Sequence, residues 1–75
     1  MAIDEREIPT LDFIHQNHIY HAEVGKKLIM DGKEINELVT LILDLGPSYR
    51  IKSKNRPNDL MMIHADEVSK PVHKN

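Results

Sequence analysis

The chain has 75 residues, no cysteine, and 10 basic against 12 acidic residues, for a formal net charge of −2. That composition excludes disulfides and thiolate metal sites, and it provides no overall field to draw the chain to nucleic acid or to anionic membranes. One small domain is expected, and because a folded monomer of this size hides only about 60 % of its unfolded surface, a metal or an oligomer interface is the expected reinforcement.

Residues 1–12, MAIDEREIPTLD, read as an acidic arm carrying Asp4, Glu5, Glu7 and Asp12. The arm has no apolar h-region, so it is not a signal peptide. The longest apolar runs, LIL and LMMI, fall far short of a membrane span. A soluble, cytoplasmic protein with no membrane contact is expected, with one compact domain over residues 13–68 and a flexible tail at 69–75.

Residues 15–21, HQNHIYH, hold three of the five histidines. His15, His18 and His21 lack the i, i+4 pair that places two imidazoles on one metal along a helix. On one continuous strand, His15 and His21 share a face and His18 points away. His64 is a fourth candidate ligand. The expectation is polar histidines that face solvent or are partly buried, no metal and no cofactor, with a pH-sensitive interface as an alternative because imidazole titrates near neutrality.

Residues 18–24 and 27–31 read as two strands around Gly25-Lys26, where glycine in the first central position suits a type II′ turn. The competing helix would carry Leu11, Ile14, His18, Ala22, Gly25 and Ile29 in its stripe. Its mid-helix glycine costs about 1 kcal/mol against alanine.

Residues 30–47 read as an amphipathic helix. Asp31 and Glu34 have capping-box spacing, with Met30 and Ile35 as a hydrophobic staple. Ile35, Leu38, Val39, Ile42 and Leu45 recur at helical intervals, and Gly46-Pro47 is a stop signal. Asp31-Gly32 also fits a tight turn, with Asn36 then the cap. On the wheel, Leu41 and Leu43 widen the apolar arc to about 200°, roughly twice what a one-sided helix needs. A small sheet covers one face only, so Leu38, Leu41, Leu43 and Leu45 are the candidate interface. The arm, through Ile8, Leu11, Phe13 and Ile14, is the alternative cover. A homodimer is the expected assembly, with another protein partner the next choice.

SYRIKSK, residues 48–54, alternates Tyr49, Ile51 and Ser53 with Arg50, Lys52 and Lys54, a half-buried strand with a basic outer face. NRPND is a turn, and LMMIHADEV, residues 60–68, returns. Arg50, Lys52, Lys54 and Arg56 are the candidate anion or nucleic-acid contacts. Lysines and arginines on a sheet edge also serve simply to prevent aggregation.

Catalytic machinery is not expected. Ser48, Ser53, Ser69, Thr10 and Thr40 sit in no nucleophile motif. The one acid–base candidate is His64 with Asp66. The expected whole is an α+β domain, β-β-α-β-β with one helix on an antiparallel sheet, or α-α-β-β as the alternative. Its expected role is a non-enzymatic, homo-oligomeric interaction or regulatory module. A nucleic-acid binder using residues 50–56 and a sponge for a small anionic ligand are the alternatives.

Overall fold

A computed structural model describes residues 5–56 and 58–68. Asp4, Ser69 and the tail expected at 69–75 lie outside the described residues. The strands are β1 (Arg6–Glu7), β2 (Thr10–His15), β3 (His18–Glu23), β4 (Lys27–Met30), β5 (Lys33–Asp44), β6 (Ser48–Ser53) and β7 (Asp59–His64), followed by one 3₁₀ turn at Ala65–Glu67. Among the described residues there is no α-helix. The chain is therefore a small antiparallel β domain, and both the β-β-α-β-β arrangement and its α-α-β-β alternative are overturned.

The correction centres on residues 30–47. Asp31 and Gly32 both have positive φ, 52° and 84°, and Met30 pairs with Lys33. This is the two-residue primed turn whose twist matches a hairpin, so no helix starts there. The strand that follows contains β-branched Ile35, Val39, Thr40 and Ile42, which favour a pleated surface.

The helical spacing has a specific origin. Val39 pairs with Ser53 and Leu41 with Lys52, so β5 carries one extra residue against β6 at this point. Such a bulge puts two successive residues on one side of the strand. Val39 and Ile42 both point inward and are fully buried, with Ile35 packed against the same core. Inward residues at 35, 39 and 42 mimic i, i+4, i+7, although every one of them lies on a strand.

Each strand from β2 to β7 pairs with the next in the chain, and β1 pairs with the end of β5. The long β5 serves two halves: its start pairs with β4, and its end lies between β1 and β6. The sheet curls so that β2 meets the segment after β7 through an isolated bridge between Phe13 and Val68. The core inside holds Leu11, Phe13, Tyr20, Ala22, Leu28, Val39, Ile42, Ile51 and Ile63. Phe13 and Tyr20 are cross-strand partners whose rings stack 4.9 Å apart, a pair geometry that adds to simple burial. Leu11 and Phe13, named above as arm residues that would cover the helix, are thus core residues of β2.

Both expected hairpins are present. The glycine of the β3–β4 connection takes a different place from the one expected. Lys26 N–H donates to the Glu23 carbonyl, and Gly25, at φ 90°, occupies the second central position of that turn.

Candidate interaction face and the histidine pairs

The outer surface of the C-terminal half follows from register. Ile42 and Ile51 are partners and both are buried, so their neighbours face out. Glu7 pairs with Leu43, Leu43 with Arg50, and Arg50 with Met62. One row therefore runs across four strands as acid, leucine, base and methionine. Beside it, Leu41 pairs with Lys52 and Lys52 with Asp59. Leu41 and Leu43 are half-buried, and Met62 is 51 % exposed.

The four candidate interface leucines do not form one patch. Leu38 precedes the bulge and pairs with Lys27 in the other half of the sheet. Leu45 follows β5 at the turn, where it lines an open cavity of about 450 Å³ with Glu5, Arg6, Asp44 and Gly46. Leu41 and Leu43 remain together on the outer face, and Met62 joins them. Its alternation with buried Ile63 sets it on that face.

The basic residues are partly neutralised. Arg50 and Lys52 share the single carboxylate of Asp59, at 3.5 Å and 3.4 Å. Arg56 pairs with Glu37 at 3.0 Å, and Glu37 also accepts from the buried Ser53 hydroxyl at 2.6 Å. That hydroxyl and then Arg56 hold the Glu37 carboxyl below the usual carboxylate range. Arg56 therefore fastens the loop after β6 to β5 instead of extending the strand's basic row. Lys54 forms no ion pair among the described residues.

The histidines lie on a hairpin, not on one continuous strand. Gln16 and Asn17 have φ 52° and 68°, a primed turn between His15 and His18. That turn makes His15 and His18 direct partners on the inward face and leaves His21 outside, opposite Asp12. The expectation that His15 and His21 share a face is therefore overturned by two turn residues.

Each imidazole meets a carboxylate from a different place. His15 Nδ1 lies 3.1 Å from Glu67 of the 3₁₀ turn, and His18 Nδ1 lies 2.6 Å from Asp31 of the β4–β5 turn. His21 Nδ1 is bonded to Asp12 of β2, with Glu23 near its other nitrogen. An ionised carboxylate only accepts, so Nδ1–H donates in all three. The bond to Asp12 raises the His21 pKa above its usual value, with a smaller contribution from Glu23. Asp31 is held low first by the Ile19 backbone N–H and then by His18. Glu67 is held low first by the His64 N–H and then by His15.

His64 and Asp66, the acid–base candidate, form no ion pair among the described residues; Glu67 is the carboxylate bonded to the His64 backbone. No three metal-ligating side chains come together among the described residues. Nor is any helix there long and apolar enough to cross a membrane. Compared with known proteins, the chain matches no family model, no curated sequence and no solved structure.

Proposed function

We propose that this chain is a small non-enzymatic protein-interaction module that works as a homo-oligomer through the outer face of β5, β6 and β7. The observation that carries this reading is the outward stripe of Leu41, Leu43 and Met62, with Arg50 and Lys52 set among them. Covering large apolar side chains is worth about 1.5–3 kcal/mol each when burial is complete, which is considerable for so small a domain. A mixed apolar and cationic face of this kind also matches the composition of interface centres, where methionine and arginine are enriched. In keeping with its lack of cysteine, we place this module in the cytoplasm.

Nucleic acid or a small anion is the second choice for the same face. Asp59 sits within the basic surface and would repel a phosphate, Arg56 is turned away to Glu37, and the exposed row contains no aromatic side chain for base stacking. The deciding experiment is sedimentation of the wild type and Leu43→Glu at high micromolar concentration. The expected result is an oligomeric wild type and a folded variant of lower mass. A wild type that sediments as a monomer overturns the reading.

A further inference from the structure

Taking the self-association proposed above as its basis, we infer that the partner is a second copy placed face to face. The two copies are related by a twofold axis that lies in the interface close to β5 and passes by Leu43, so that Glu7 of each copy meets Arg50 of the other.

The row Glu7–Leu43–Arg50 supplies the complementarity. Twofold interfaces require a self-complementary patch. An axis running along β5 exchanges the two sides of that strand. β1, with its acid, then faces β6, with its base, and Leu43 faces Leu43. Neighbouring strands lie about 4.8 Å apart, so Glu7 and Arg50 of one copy stand about 10 Å apart across Leu43. Among the described residues no ion pair joins them, and Arg50 turns instead to Asp59. Glu7 is exposed and has no ion pair among the described residues. Arg50 and Lys52 present two positive charges to the one carboxylate of Asp59, leaving one in surplus. The unmatched acid and the surplus base therefore flank the same leucine at equal spacing. Two stacked sheets keep strand directions within about 30° of each other, which this axis provides. Leu41 lies on β5 itself, so the axis also brings it towards its own counterpart.

The test is a pair of charge reversals, Glu7→Arg and Arg50→Glu, each measured alone and then mixed. Alone, each variant sets like charges opposite each other twice. Self-association should weaken at least about tenfold, since like-charge contacts suppress pairing. Mixed in equal amounts, the copy with two arginines faces the copy with two glutamates. Both contacts are then attractive, and a heterodimer should form with close to wild-type affinity. Circular dichroism of each variant checks that it is folded, and rescue on mixing excludes unfolding as the cause of the loss. A dimeric wild type indifferent to both reversals overturns this arrangement and leaves self-association standing. Variants that weaken but fail to rescue one another overturn it equally. A monomeric wild type overturns both the arrangement and the reading beneath it.

Discussion

His15 and Glu67 stand 52 residues apart in the chain and 3.1 Å apart in space, joined across the seam where the curled sheet meets itself. The same carboxylate accepts the backbone N–H of His64 at the end of β7. One side chain thus ties the last strand of the meander to the first, beside the Phe13–Val68 bridge. Closure matters because an open sheet leaves two edges of unpaired backbone groups.

The first expectation concerns that seam. Glu67→Gln keeps an acceptor for His64 but removes the charge facing His15. The melting temperature should fall modestly. Amide exchange should quicken in Thr10–His15 and Asp59–His64, the two strands whose ends Glu67 links. Exchange rates in these strands that match the wild type would show that the bridge and the core close the sheet without Glu67.

The second is a pH dependence with opposite causes on its two sides. The folded pKa of His21 lies above its ordinary 6.5. Its contribution is complete below 6.5 and is lost as pH rises through the raised value. Asp31 and Glu67 are depressed from 3.8 and 4.5. Their contribution is complete above those values and is lost as pH falls through the depressed ones. The melting temperature should therefore be highest between about pH 4.5 and 6.5 and decline on either side. Asp12→Asn, which removes the main cause of the His21 shift, should flatten the alkaline decline and leave the acidic one. A profile in Asp12→Asn identical to the wild type's would refute this assignment.

Much of this was written in local chemistry. The alternation in SYRIKS, the glycine at 25 and the return through LMMIH gave β3 to β4 and β6 to β7 in outline. The strand β2 is harder to see, although Leu11 and Phe13 alternate with Asp12, because its pairing with β3 depends on the Gln16-Asn17 turn. Asn accepts positive φ more readily than most residues, so that signal was present. The segment at 30–47 has helical spacing for a deeper reason. Its apolar spacing comes from a bulge, and a bulge is set by pairing with β6, a partner outside the segment. The histidine pairs were illegible for the same reason. Their carboxylates, at positions 12, 31 and 67, are scattered along the chain and meet only in the folded sheet.

The third expectation tests the turn that displaced the helix. Gly32 has φ 84°, a conformation costly for any residue with a Cβ. No atom lies within 4 Å of where that Cβ would sit. The cost of Gly32→Ala is therefore purely conformational, about 1 kcal/mol. Urea unfolding should show a lower midpoint with an unchanged slope. If residues 30–47 formed a helix in solution, the same change would stabilise it, because alanine is the better helix former.

The last expectation separates neighbours that a helix would treat alike. Ile42 is fully buried, whereas Leu43 pairs with exposed Arg50 and Glu7 on the outer face. Ile42→Ala removes buried methylenes from a packed site and should cost about 2–5 kcal/mol. Leu43→Ala leaves the core untouched and should cost the protomer less than about 1 kcal/mol. Its effect should appear in self-association instead. Chemical unfolding of both variants, done well below the concentration at which the wild type associates, isolates the protomer term. A helix with a 200° apolar arc packed between a sheet and an arm would bury both residues and make the two losses similar. The strand makes them differ severalfold, because consecutive side chains on a pleated sheet face opposite environments.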